Sequence, residues 1–295
     1  MSKIISEPNH KRLPEWLKTP LPKNKKFFEL KSLVRKYNLN TVCESASCPN
    51  IGECWDAGTL TFMILGDSCS RACKFCDVAT GSLLNPNPDE PTQIAETLSR
   101  LNLSYAVITS VDRDDLPDGG AAHWVNTIKM IRALCPNMKI ETLIPDFQGN
   151  MDLVNKICEA TPNVLAHNLE TVESLQHHIR PQCRYSWSLD TLKTASLREN
   201  LIVKSSLMLG LGEKENEVIN GMKDLVESGC QILSLGQYLR PSPRHAKVIE
   251  FIHPDQFLSY KQIGESLGLA HVEAGPLVRS SYMADQQAQS AGLTS

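Results

Sequence analysis

From Thr61 onward the chain alternates short β-branched apolar runs with longer stretches of 3.6-residue periodicity, and that alternation leaves few architectures open. Strand-like runs fall at Thr61 to Leu65, Tyr105 to Thr109, Lys139 to Leu143, Asn163 to His167, Leu201 to Leu209 and Gln231 to Leu235. Between them Ile94, Leu98 and Leu101 share one helical face, as do Val218, Met222, Leu225 and Val226. Pro91 suits a first helical turn and Gly229 a helix stop. Strand and helix in turn predict βα units around a parallel sheet. No dinucleotide-type glycine fingerprint follows the first strand, which disfavours a doubly wound sheet. An eight-unit barrel needs ~250 residues, more than the 235 that run from Thr61 to the last residue given. The expected fold is therefore α/β, a partial (β/α)6 TIM-type barrel with N-terminal and C-terminal extensions. Its chemistry should sit where strands end and loops begin.

The chain has 295 residues and a net charge of −3, so the whole molecule has no electrostatic case for nucleic acid. The charge is uneven. Residues 1–40 hold ten Lys/Arg against three Glu, a local +7 that leaves −10 for the rest. Pro14, Pro20 and Pro22 lie in this stretch and predict an irregular basic arm. Such arms are more often solvated termini than binding elements. A cluster at Lys23, Lys25 and Lys26 could nonetheless dock an acidic partner. No apolar run approaches the ~20 residues of a membrane helix, and Met1 to Arg12 lack the apolar stretch of a secretory signal. The expected location is the cytoplasm. The expected division is a basic arm over 1–40, an extension over 41–60, the barrel over 61–275 and a C-terminal extension over 276–295.

Ten cysteines are present, six of them between positions 43 and 76. In a reducing compartment such crowding argues for metal or catalysis rather than disulfides. Cys135, Cys158, Cys183 and Cys230 are scattered and read first as small buried hydrophobes. Directly after the first strand, Cys69, Cys73 and Cys76 form C-x3-C-x2-C. A closed zinc site wants four ligands, and this loop offers three thiols with no His nearby. Three thiolates on an iron-sulfur cube leave one iron open, which invites a small-molecule ligand. Upstream, Cys43, Cys48 and Cys54 form C-x4-C-x5-C, readable as a loop zinc site with a distant fourth ligand or as a second cluster site.

The first loop, with Phe75 before its last Cys, resembles the signature of the radical S-adenosylmethionine (SAM) superfamily. Together with VCESASCPNIGECW, TSVDRDDLPDGGA, HNLETV, KSSLMLGLGE, GQYLRPS and GPLVRSSY in that order, it resembles the lipoyl synthase family over nearly the whole chain. The resemblance implies two 4Fe-4S clusters and S-adenosylmethionine as cofactors. It implies sulfur insertion at carbons 6 and 8 of an octanoyl group on a lipoyl carrier domain or protein. A reductant such as a flavodoxin or ferredoxin would supply electrons. By the same resemblance Cys69, Cys73 and Cys76 hold the cluster that cleaves S-adenosylmethionine. Cys43, Cys48 and Cys54 hold a sacrificial cluster whose fourth ligand is Ser281. Asp118, Gly119 and Gly120 would meet the methionine amino group, Asn168 and Glu170 the ribose or the methionine end, and Met208 and Glu213 belong to a motif beside adenine. Each of these could instead be a turn or helix cap, and RSSY a polar loop. Ser206 stands where the family suggests Gly, Ala166 where it suggests Asn, and Cys183 where a small residue is common. Two alternatives stay open: another sulfur-inserting radical enzyme, of biotin synthase or methylthiotransferase type, and a zinc-binding adaptor.

Overall fold

The computed structural model describes residues 13–18, 25–37, 39–46, 48–57, 59–101 and 103–293. Seven strands form one sheet in chain order: β1 (Thr61–Ile64), β2 (Tyr105–Ser110), β3 (Lys139–Leu143), β4 (Val164–Ala166), β5 (Ile202–Leu209), β6 (Ile232–Gln237) and β7 (His271–Gly275). Every neighbouring pair is parallel. Sequential order without a reversal is the order of a barrel. Among the described residues no pairing joins β7 back to β1, so the barrel is open. β1 through β6 run nearly continuously buried, as parallel strands covered on both faces must.

The seventh strand adds to the six expected from sequence. His-Val-Glu-Ala-Gly has one β-branched residue, and only Val272 of the five is buried. Its register against β6, Ile232 through Gly236 opposite His271 through Gly275, is set by pairing rather than by its own propensity.

Helices on the outside include α4 (Glu90–Leu101), α5 (Ala121–Leu134), α6 (Met151–Glu159), α7 (Glu173–Ile179), α8 (Tyr185–Ser196), α9 (Glu215–Glu227) and α10 (Pro254–Ser266). The periodic faces read from sequence are buried: Ile94 and Leu98 on α4, Val218, Met222 and Leu225 on α9.

The expectation of an irregular arm is corrected by the helix α1 (Lys25–Lys36), preceding the short helices α2 (Val42–Ser45) and α3 (Ile51–Ala57) of the first cysteine triplet. All three prolines lie before it, so nothing interrupts the stripe of Phe27, Leu30 and Val34, which is buried. Lys23 falls outside the described residues. After β7 the chain turns back along the barrel and ends in α11 (Ala284–Ser290). Ala288 packs with Val164, Ile202 and Ile232, all at strand starts, so α11 closes the bottom of the barrel. Gly236 marks the close passage of this segment: a Cβ there would stand 2.0 Å from the Val278 carbonyl oxygen.

Candidate active site

The loop after β1 is shaped by a short parallel pairing of Ser68–Cys69 with Ala79–Thr80 and by one buried cation. Arg71, between Cys69 and Cys73, points inward with its side chain 1% exposed. Its Nε and Nη2 donate to the two Asp114 oxygens at 2.6 and 2.9 Å. Its Nη1 and Nη2 donate to the two oxygens of Asp146, fully buried beyond β3, at 2.9 and 2.7 Å. Burial would raise the Asp146 carboxyl, but hydrogen bonds and charge from Arg71 bring it below the ordinary carboxylate range. Paired forks of this kind fix orientation as well as charge. The Cys69 sulfur accepts from the backbone N–H of Arg71 at 3.4 Å and of Asp112 at 3.3 Å. Cys69, Cys73 and Cys76 are thereby spread along the wall of a cavity of about 550 Å³, with Phe75 between them.

Cys43 and Cys48 line the same cavity. Thr41 caps the helix bearing Cys43, accepting from the Glu44 N–H at 3.4 Å. Cys54 joins them at a small pocket behind, shared with Arg279, Ser281 and Tyr282. The C-terminal segment is held there by Asn50 Nδ2 donating to the Leu277 carbonyl at 2.6 Å and by the Tyr282 hydroxyl on Glu53 at 3.2 Å. Ser281 therefore shares that small pocket with all three cysteines of the first triplet and also lines the main cavity.

Among the described residues no three His, Cys, Asp or Glu converge closely enough to hold a single metal ion. An iron-sulfur cube takes its thiolates through separate irons and suits a spread set. Burial disfavours the thiolate form at all six of these cysteines. Burial and then Asp112 push Cys69 up to about 12, and burial pushes Cys76 to about 11. Burial and the Cys48 and Cys43 thiols push Cys54 to about 12. Cys73 is raised by its hydrogen bond with Cys183 and by burial. Metal uptake would displace these protons. Burial also raises Cys43, opposed in part by the Trp55 indole N–H, which has no oxygen or nitrogen partner.

The cavity is walled at the strand ends by Asn168, Glu170, Ser206 and Met208. Asn168 Nδ2 donates to Glu170 Oε1 at 3.1 Å, while its Oδ1 is buried without a partner. Such an acceptor calls for a donor from a ligand. Glu170 sits at φ +68°, held by its N–H on the Ser206 carbonyl and its own carbonyl under the Met208 N–H, each at 2.9 Å. Strained backbone of this sort persists where the surroundings over-determine it, and clusters at ligand sites. Burial raises the Glu170 carboxyl, opposed by Arg180. Ser206 adds its side chain to this wall, and Ala166 is buried within β4.

Two sets of expected contacts lie elsewhere. Asp118 spends both oxygens on the start of α5, accepting from the Gly120 and Ala122 N–H groups at 2.9 Å each. Gly119 and Gly120 turn the chain at φ +57° and +87°, and none of the three residues lines the cavity. Glu213 folds back onto the turn after β5, accepting from Gly210 and Leu211 N–H at 2.5 and 2.9 Å, also off the cavity. Sequence reasoning missed Arg71, Asp146, Arg180 and Trp55. A basic residue inside the cysteine loop and the acidic run Asp112 to Asp115 were a usable signal for the first. Nothing in the sequence announces Asp146 as its partner.

A family model for the radical SAM superfamily matches residues 63–225, and one for the N-terminal domain of lipoyl synthase matches residues 2–48. A lipoyl synthase of Christiangramia forsetii is 50% identical over 96% of this chain and 97% of its own. The mitochondrial lipoyl synthase of Nematostella vectensis is 50% identical over 92% and 94%. The Thermus thermophilus lipoyl synthase is 50% identical over 95% and 88%.

This chain belongs to the lipoyl synthase family.

As a member of that family it is a radical SAM sulfur-inserting enzyme, with S-adenosylmethionine and a [4Fe-4S] cluster as cofactors. The zinc-adaptor alternative is thereby excluded. The fold agrees with that of the FeFe-hydrogenase maturase HydG of Carboxydothermus hydrogenoformans, at a TM-score of 0.56 and 11% identity over 84% of this chain and 64% of that one. The residues present fit both cofactors of the lipoyl synthase family: three spread thiols for the cluster, and a buried unpartnered acceptor beside Glu170 for the nucleoside. Among the described residues no helix is long and apolar enough to cross a membrane.

Proposed function

We propose that this chain inserts two sulfur atoms, at carbons 6 and 8, into an octanoyl group borne on a lysine of a lipoyl carrier domain. In this reading Cys69, Cys73 and Cys76 hold the cluster that meets S-adenosylmethionine, and Cys43, Cys48, Cys54 and Ser281 hold a second [4Fe-4S] cluster. What supports it is one juxtaposition: Ser281, far along the chain from both triplets, shares a small pocket with the first triplet and lines the cavity that the second triplet also lines. When bound, these groups supply a radical able to remove hydrogens that no side-chain base could take, and the sulfur that replaces them.

The chain's own residues do the holding and shielding. Asn168 Oδ1 and the Glu170 carboxylate accept from the hydroxyls or amino group of S-adenosylmethionine, with Met208 beside them. Met63, Val111, Leu143 and Val278 give the cavity apolar wall on which an alkyl chain can lie out of water. Arg71 fixes the cysteine loop through Asp114 and Asp146, keeping the thiol positions constant between turnovers. A carrier domain presents the substrate and a small electron-transfer protein of flavodoxin or ferredoxin type supplies electrons.

The test is anaerobic incubation with S-adenosylmethionine, a reductant and an octanoylated lipoyl domain, followed by mass spectrometry of the domain. The expected product has gained two sulfurs and lost two hydrogens. Cys69→Ala, Cys73→Ala or Cys76→Ala should abolish cleavage of S-adenosylmethionine. Cys43→Ala, Cys48→Ala or Cys54→Ala should leave cleavage and remove sulfur transfer; lipoyl product from these three would refute the second cluster as sulfur source.

A further inference from the structure

Gln287 is a polar side chain in the seat that α11 makes against the barrel, and the chemistry above leaves it without a task. It is 1% exposed, between the wholly buried Ala284 and Ala288. Its amide can be assigned only one way. The Tyr282 carbonyl can only accept, so Gln287 Nε2 donates to it, and Oε1 is left to accept from Ser234 Oγ at 3.1 Å. Ser234 is itself wholly buried, on the same face of β6 as Gly236, which lines the cavity two residues on. Through one amide the barrel core therefore reaches the residue directly after Ser281.

The chain needs such a hold at this place. Arg279 to Tyr282 form a turn closed by the Tyr282 N–H on the Arg279 carbonyl at 3.0 Å, with Ser280 and Ser281 at its two central positions. The next residue, Met283, stands in the left-handed region at φ +46° before α11 begins. A side chain of that size persists there where the surroundings over-determine the backbone. Gln287 grips both sides of it, with its N–H on the Met283 carbonyl at 3.1 Å and its side chain on the Tyr282 carbonyl. From the other direction the turn is held by the cysteine segment, through Asn50 on the Leu277 carbonyl and Glu53 on the Tyr282 hydroxyl. We propose that Gln287 is a positioning residue for Ser281: it ties the turn that carries this serine to the barrel core, so that the pocket shared with Cys43, Cys48 and Cys54 is set before a cluster is bound. Without the amide, Asn50 and Glu53 join the turn only to the cysteine segment, and the two can shift together against the barrel.

The proposal rests on Ser281 being a cluster ligand, and two measurements keep the claims apart. The first is hydrogen–deuterium exchange of the full chain before clusters are loaded. Gln287→Met keeps the length of the side chain and removes its hydrogen bonds. A peptide spanning 278–284 should then exchange roughly tenfold faster, the order that one net hydrogen bond supplies, while peptides from β6 and β7 keep the wild-type rate. Ser234→Ala removes only the anchor and should move the same peptide in the same direction; it decides the matter if Gln287→Met fails to fold. The second is the Mössbauer spectrum of chains loaded with iron in a Cys69→Ala, Cys73→Ala, Cys76→Ala background, where only the cluster on Cys43, Cys48 and Cys54 remains. Gln287→Met should lose the signal of the oxygen-bound iron, as Ser281→Ala does. Wild-type exchange at 278–284 in both variants, or acceleration spread equally over β6 and β7, overturns the proposal. So does a wild-type spectrum for Gln287→Met where that of Ser281→Ala is altered. If Ser281→Ala itself keeps the wild-type spectrum, the ligand reading falls, and the exchange rates still decide whether Gln287 fixes the turn.

Discussion

A serine oxygen is a hard ligand that can take a proton and leave, whereas a thiolate matches iron better and holds it. At Ser281 that difference bears on whether a cluster there can be opened to give up sulfur. Ser281→Cys is expected to keep roughly eight irons and to cleave S-adenosylmethionine, yet to make little lipoyl product. Ser281→Ala should assemble on three thiolates and also lose product; normal product from it would remove Ser281 from the site. Iron, deoxyadenosine and product mass on the same anaerobic samples separate these results. Arg71 poses a different problem, because Asp146 is fully buried and the guanidinium is its nearest compensating charge, with Arg180 standing off at 3.9 Å. Arg71→Met should destabilise the protein by about 3–5 kcal/mol, the cost of stranding a buried charge. Its iron should fall toward the share of the first triplet alone. A denaturation curve and an iron count check both, and unchanged midpoints would show the network to be dispensable. Of these residues the cysteines and Ser281 were legible from spacing and resemblance, because ligands come in countable patterns. Asp146 was not, since a carboxylate three residues past a strand looks the same whether it faces water or an arginine.

The helix over Lys25–Lys36 is the element whose role changed most between sequence and structure. The ring of Phe27 lies 5.4 Å from that of Trp55, tilted 36°, and Trp55, next to Cys54 in the chain, is wholly buried. The helix thus braces the segment that carries the first triplet. Phe27→Ala removes a ring from a site at 5% exposure, which should cost about 3–5 kcal/mol. The loss should be felt first at Cys43, with iron at that site falling while cleavage of S-adenosylmethionine persists. Equal loss of both activities in proportion to folded protein would mean the helix acts on the whole fold instead. Prolines and lysines dominate a composition count here and concealed the helix; the stripe at Phe27, Leu30 and Val34 was the signal, and it begins only after the last proline.

Across the whole molecule, one buried histidine ties the strands to pH. His167 follows β4, donates from Nδ1 to the Ile144 carbonyl at 2.8 Å and accepts at Nε2 from the Ser188 hydroxyl at 2.9 Å, which in turn accepts from Arg180 at 3.2 Å. Burial, with Arg180, holds its pKa down to about 4 from 6.5. The folded state then binds fewer protons than the unfolded one between those values. Stability from this group is full above pH 6.5 and is lost as pH falls toward 4, by up to roughly 3 kcal/mol. The difference in unfolding free energy between wild type and His167→Gln, measured by urea denaturation across pH 4 to 7, should shift by that amount; a difference independent of pH would sink the assignment.

Sequence alone determined the barrel's first six strands, their helices and the six clustered cysteines, because periodicity and ligand spacing are local properties that survive without coordinates. It could not deliver β7, whose five residues become a strand by pairing with β6. Nor could it show that Asp118 and Glu213 serve turns while Asn168 and Glu170 face the cavity, since a carboxylate near a strand end suits either role until the fold aims it. The placing of Ser281 at one pocket with Cys43, Cys48 and Cys54 was likewise decided only by tertiary structure. Residues that far apart along the chain come together when seven strands close most of a barrel and its end turns back across the opening, and no local pattern encodes that distance.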